Sequence, residues 1–445
     1  MAIRKEGVSV VRVGELISDD LRIPPYQRSY RWEPPTALQL LNDISDAFHD
    51  EERSGIPYVL GAVILHQEKA DDGPLNVVDG QQRLLTLKML LAILDGVEGG
   101  KFTEVTDNPV ALVWSALGHQ VGTWAAEKQK EIRGYIVDRC QFVRVVTNDV
   151  DEAFRVFDSQ NFRGKPLAPH DLLKAHHLRE MRGESDAMMA AVVESWEAVS
   201  DRDLDRLFST FLYRIARWTR GEAALPFTAR DIGMFKGIAA AEIKTPSARY
   251  HLAAQAAVPL LTAWAAGKAQ SAGQDARRAR FQFDAPVPAG RGFFEMVSFM
   301  LQELAELRRS AFDGWEEFAS YNPVGQTDER EIFGETPSRS RYRYVSELYL
   351  AALLYFTNKF GDEELEAARQ RLFAWAFTIR VGFLRVQFRT IDKLGQGVNG
   401  GTSAFTVLRN ATSGRAVHEL PSSSKQYKDG HESKLAAVLK NLGTR

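Results

Sequence analysis

The chain has 445 residues, 44% hydrophobic and 26% charged, which is the composition of an ordinary globular protein long enough for two or three domains. A formal net charge of −2 excludes a uniformly basic nucleic-acid binder, though not a local basic face. The single cysteine, Cys140, excludes an internal disulfide and a multi-cysteine zinc site; in "CQFVRVV" it reads as a packed apolar side chain.

The opening "MAIRKEGVSVVRVGEL" has no apolar stretch of signal-peptide length, and the longest apolar run, "VSELYLAALLYF", is too short to span a bilayer. A cytoplasmic protein with no membrane partner is expected. Along the chain, "VSVVRV", "YVLGAVILHQ" and "LNVVD" are rich in β-branched residues and read as strands. "TALQLLNDISDAFHD" has helical spacing, with Thr36 as its cap, and from Leu84 apolar residues run almost all round a helix, which predicts that it is buried.

Three segments of this α/β part carry chemistry. In "IPPYQRSYRWEP", prolines lead into an extended segment that interleaves aromatics and cations. Alternation there sets Tyr26, Arg28 and Tyr30 on one side and Gln27 and Arg31 on the other. With Trp32, such a set can stack a base and pair with phosphate, or be an edge strand with solvated arginines. In "VVDGQQRLLTL", a strand ending at Asp79 turns at Gly80 into a helix, whose first backbone N–H groups and dipole suit an anion. Arg83 can fork onto phosphate oxygens, and Asp79 can cap the helix or hold a divalent metal through water. A capped helix with an exposed arginine fits these residues at least as well. In "FRVFDSQNFRGKPLAPHDLLKAHHL", a short helix ends near Asp158, a loop carries Asn161, Arg163 and Gly164, and a helix starts near Pro169 with Asp171 in its first turn. Asn161 and Lys174 are candidates for a phosphate or a metal-bound water. His176 and His177 are adjacent, point to different helix faces and cannot clamp a metal.

Beyond about residue 168 the signals are helical: "DLDRLFSTFLYRIARW", "FFEMVSFMLQELAELRR", "VSELYLAALLYFTNKF" and "EAARQRLFAWAFTIRVGFL" all carry apolar positions three and four apart. The expected class is α+β, with an α/β domain at 1–165, a helical extension at 166–265, a loop or linker at 266–292 and a helical C-terminal domain at 293–445. The last seventy residues hold eleven Lys or Arg against four Asp or Glu, which suits a phosphate-facing tail, a solvated end or an acidic partner.

The ordered set "IPxYQRxYxW", "VLGxVIL", "VVDGQQRLxTL" and "FxxxNxRGxPLxxxDLLK" resembles the GmrS-type module, domain of unknown function 262, with its ParB/sulfiredoxin-like core. The likeness covers roughly the first 180 residues. It implies a small ParB-like α/β domain ahead of a helical region, and a place in anti-phage defence or modification-dependent restriction, as in GmrSD and SspE-type proteins. It also implies binding, and hydrolysis, of a nucleoside triphosphate (NTP) with Mg2+. Carried over by position, Asp79, Gln81, Gln82 and Arg83 are the implied catalytic set. Gly80, Arg83, Tyr26, Gln27, Arg28, Asn161 and Lys174 are the implied nucleotide or phosphate contacts. Arg28, Arg31 and Trp32 are candidates for DNA, and Asp79 for the metal.

Many such proteins continue into an HNH nuclease. Here "VHELPSSS" supplies only a superficial first element, so His418 is expected at the surface. The expected partners are NTP, DNA and a separately encoded effector or second module of the same kind, with self-association open. A nuclease working through the ParB-like core, and a nucleotide-switched DNA-binding module without turnover, are the alternatives.

Overall fold

The computed structural model describes residues 3–24, 30–67, 73–97, 108–148, 168–181, 183–238, 244–266, 277–320, 337–398, 400–421 and 432–443. The chain divides into two compact units, Met1–Leu167 and Ala168–Arg445.

The first unit runs β1 (Ile3–Arg12), α1 (Val13–Ser18), β2 (Leu21–Arg22), α2 (Pro34–Ser54), β3 (Val59–His66), β4 (Leu75–Asp79), α3 (Gln81–Leu94), α4 (Pro109–Gly122), α5 (Ala126–Asp138) and β5 (Gln141–Thr147). Its mixed sheet has the order β1-β5-β3-β4-β2. Neighbours β1/β5 and β3/β4 are antiparallel, and β3/β5 and β2/β4 are parallel. In the central strand, Val63, Ile64 and Leu65 are all fully buried, so the strand is covered on both faces. Leu84, Leu87 and Leu90 of α3 join Leu41 and Ile44 of α2 and Ile132 and Ile136 of α5 in one core. Cys140 is buried in it and takes part in no disulfide.

Two local expectations change. Helix α2 opens at Pro34, so Thr36 lies inside its first turn and does not cap it; proline fits there because its missing N–H has no partner to lose. The aromatic–basic segment is not an edge strand in its described part. Only Leu21–Arg22 pairs with the sheet, and Tyr30 to Glu33 run without strand structure.

The second unit is helical: α6 (Pro169–Glu180), α7 (Asp186–Glu197), α8 (Asp201–Arg206), α9 (Tyr213–Trp218), α10 (Pro246–Ala266), α11 (Arg291–Ser310), α12 (Arg343–Phe360), α13 (Leu365–Gly382), α14 (Phe388–Gln396), α15 (Ala404–Asn410) and α16 (Ser433–Gly443). A π-helical turn, Leu207–Leu212, joins α8 to α9. Helix α12 is buried on every side from Val345 to Asn358, and its few polar groups are matched. Asn358, for example, donates to the Phe281 carbonyl at 2.9 Å and accepts from the Phe283 amide at 3.0 Å. The described part of the expected loop or linker, 277–290, is pinned by such contacts. Buried Arg278 within it pairs with Glu303 at 2.9 Å and Asp362 at 3.2 Å. No helix among the described residues is long and apolar enough to cross a membrane.

His177 is fully buried and stacks on Phe293 with ring centroids 3.6 Å apart. Its Nε2 donates to the Phe235 carbonyl at 2.9 Å, and its Nδ1 accepts from the Gly290 amide at 3.2 Å, an arrangement that only the neutral ring can make. Burial, reinforced by the neighbouring His176, pushes its pKa down to about 3. Unfolding restores a value of about 6.5, so between those limits the unfolded chain holds an extra proton. Stability from this group is therefore complete above about pH 6.5 and lost on acidification, at up to about 1.4 kcal/mol per pH unit. Between pH 7 and pH 5, His177→Gln is expected to lose about 2 kcal/mol less stability than wild type in urea unfolding. Equal losses in the two proteins would disprove this account.

Candidate functional site

The site starts from a turn that only glycine can make. Strand β4 ends at Asp79, and Gly80 takes φ +91°, in the left-handed region, to enter α3. A Cβ at Gly80 would come within 2.9 Å of Val63 Cγ2, so the turn also packs tightly on the central strand. Lacking a side chain, Gly80 cannot offer the helix a side-chain cap. Asp79 is in the strand and does not serve as the N-cap.

Arg83 lies in the first turn of α3 and is half-buried. Its Nη1 donates to the Ala62 carbonyl at 3.3 Å. Gly61 makes the space for it: φ there is +113°, and a Cβ would lie 2.8 Å from Arg83 Nη1. Burial pulls the Arg83 pKa down, while Asp79 and then Tyr58 push it back up. Tyr58 is raised by burial and by Asp43 and Cys140, and lowered by Arg83. Asp79, Arg83, Tyr58 and Asp43 thus form one electrostatic neighbourhood, in which a guanidinium is held on the sheet beside a helix start.

The aromatic–basic segment is fastened to this helix at two points. The Tyr30 hydroxyl, buried, meets Thr86 Oγ1 at 2.7 Å, and Thr86 in turn donates to the Gln82 carbonyl at 2.8 Å. Gln82 Oε1 accepts from the Arg31 amide at 2.8 Å and from the Trp32 amide at 3.2 Å. The Arg31 side chain is exposed, whereas Trp32 packs partly against the core. Gln81 is buried. Burial raises the Tyr30 phenol, and its bond to Thr86 partly offsets that rise.

Tyr26, Gln27, Arg28 and Asn161 lie outside the described residues. Lys174 belongs to the second unit, on α6, where it is buried and pairs with Glu197 at 3.1 Å, so its charge is already matched. His176 bonds the Lys236 carbonyl through Nε2 at 3.3 Å. His418 is exposed, 3.8 Å from Glu364. Among the described residues no group of three or more His, Cys, Asp or Glu is placed to hold a metal. A magnesium ion here would rest on one carboxylate, water and the phosphate oxygens of its nucleotide, a donor set that suits this ion.

Sequence reading missed Gly61, Ala62, Tyr58, Asp43 and Thr86. Gly61 had a signal, since an isolated glycine inside a strand pattern marks a close approach. Asp43, on an amphipathic helix, had none.

Two family models match the chain. Residues 13–178 match the model of the GmrSD restriction endonuclease N-terminal domain, a domain of restriction- and defence-type proteins. Residues 188–436, more than half of the chain, match a family of unknown function, DUF7834. No curated protein matches the chain. The chain belongs to the DUF7834 family and carries, ahead of that region, a GmrSD-type N-terminal module.

Proposed function

We propose that this protein acts in restriction or phage defence, binding and hydrolysing a nucleoside triphosphate at the β4–α3 turn while sensing DNA. One observation carries the reading. A glycine-only turn opens a helix N-terminus beside a guanidinium fixed on the sheet, and the aromatic–basic segment is tied to that same helix.

The first-turn amides of α3 and Arg83 hold phosphate oxygens, and Asp79 would help hold Mg2+, which would neutralise charge on those oxygens. Hydrolysis adds water to the γ-phosphorus, breaks the bond to the bridging oxygen on the β-phosphorus and yields a nucleoside diphosphate, inorganic phosphate and a proton. The Gln82 amide oxygen is committed to two backbone amides, so its role is to couple the segment at Arg31 and Trp32 to the phosphate site. Arg31 and Arg28 meet the DNA backbone, and the state of the site passes to a separately encoded effector or to a second module of the same kind.

The test is phosphate release with Mg2+ and each of the four NTPs, with and without plain or modified DNA. DNA-stimulated release that falls tenfold or more in Arg83→Ala is the expected result. Absence of turnover, with wild-type and variant binding triphosphate equally, would reject the site. Tight, Arg83-dependent binding without release would make it a nucleotide switch, and metal-dependent DNA cleavage would make it a nuclease.

A further inference from the structure

The helical unit contains a cavity of about 440 Å³, within the size range of small-molecule sites. One wall is set before any ligand arrives. The Ile238 amide donates to the Val287 carbonyl at 2.9 Å, and the Ala289 amide to the Ile238 carbonyl at 3.1 Å, forming a short parallel bridge. Gly237 permits this approach at φ +72°, where a Cβ would come within 2.5 Å of the Val287 carbonyl oxygen. The apolar lining comes from Met296 and Met300 of α11 with Ile238 and Phe283. Methionine beside aromatic and branched side chains gives a polarizable surface for a flat ring.

The charges around that surface are one-sided. Arg220, Arg280 and Arg409 line the cavity, against a single carboxylate, Asp284. Asp284 is occupied: it accepts the Tyr355 hydroxyl at 2.9 and 3.0 Å and Lys359 Nζ at 3.2 Å. Arg280 pairs with Glu295 at 2.8 Å, but Arg291 takes the same carboxylate at 2.8 Å, so two cations share one anion. Arg409 Nη1 donates to the Thr219 carbonyl at 3.1 Å, a neutral partner that leaves its charge unmatched. The Arg220 side chain has no hydrogen bond or ion pair among the described residues. Three arginines from three separate segments therefore line a preformed, partly apolar cavity whose one carboxylate is already occupied.

We infer that this cavity binds a nucleoside monophosphate, as a second site separate from the turn at Gly80. A phosphate monoester carries about −1.5 to −2 at neutral pH and three acceptor oxygens, which matches several guanidinium forks better than the single charge of a carboxylate. The base and sugar occupy the side formed by Met296, Met300, Ile238 and Phe283.

Titration calorimetry on the full chain tests this, using AMP, GMP, CMP and UMP as ligands, with adenosine and inorganic phosphate as comparisons. At least one monophosphate should bind one-to-one and more tightly than either comparison. Arg220→Ala, at an exposed position with no partner to orphan, should weaken it tenfold or more, whereas Arg83→Ala should leave it unchanged. Three results overturn the inference: no monophosphate binding, phosphate alone binding as tightly, or an affinity that falls with Arg83 and not with Arg220. The last would move the ligand to the N-terminal module. Loss of triphosphate turnover in Arg83→Ala with monophosphate binding intact would separate the two sites.

Discussion

Alanine at position 61 is expected to weaken triphosphate binding as severely as alanine at position 83. Gly61 touches no phosphate in the proposed site; its part is to leave room for Arg83. The added methyl would lie 2.8 Å from Arg83 Nη1, well inside contact distance, and the guanidinium must leave the Ala62 carbonyl to relieve it. A displaced Arg83 loses its charge-assisted contacts with phosphate, each worth about 1.5–3 kcal/mol, or on the order of 10- to 100-fold in affinity. Backbone strain at φ +113° adds a stability cost of about 1–3 kcal/mol, so a second variant is needed to separate the effects. Gly73 is that control: its φ is +125°, but nothing lies within 4 Å of an added Cβ. Gly73→Ala should share the strain and keep the affinity. If Gly61→Ala bound triphosphate like wild type while Arg83→Ala did not, the fixed position of the guanidinium would not be what the site uses.

The largest stability effect is expected at Glu347. Its side chain is fully buried in α12, where it accepts Arg214 Nη1 at 2.8 Å and Arg343 Nε at 3.1 Å. Arg343 is nearly half exposed, so solvent screens that arm and it contributes little. Arg214 is only 14% exposed, and its guanidinium also sits 4.7 Å from the centre of the Phe388 ring on α14. Glu347→Ala would strand that cation in the interior and open a cavity beside it, at a cost of about 3–5 kcal/mol. For a unit of this size that corresponds to a fall in Tm on the order of 10 °C. Replacing both members, Glu347→Leu with Arg214→Met, removes the orphaned charge and should recover most of the loss. A double variant no more stable than Glu347→Ala would show that the pair does not act as a unit.

Much of the N-terminal module could be read from local pattern. β-Branched runs marked β1, β3 and β4, and the all-round apolar sequence after Leu84 marked a buried helix. Strand β5, "QFVRVVT", which carries Arg144 at its middle, was not among them. In the fold that arginine reaches from the sheet to Ser9 Oγ at 3.1 Å and Asp19 at 3.4 Å, an outlet that local pattern cannot reveal.

The candidate site divides in the same way. The sequence by itself determined the turn: Asp-Gly after a strand and before an apolar helix leaves few backbone solutions, and glycine alone relaxes into this one. It also determined the helical character of the second unit, because periodicity is local. Tertiary structure alone decided that Gln82 reaches the amides of Arg31 and Trp32, that Tyr30 reaches Thr86, and that Arg83 rests on Ala62. Each of those contacts joins residues 21 to 56 positions apart, so it depends on strand order and helix packing. Lys174 shows the converse. Its motif spacing suggested a phosphate ligand, yet it is buried against Glu197, because an interior cation must be paired and α7 supplies the carboxylate.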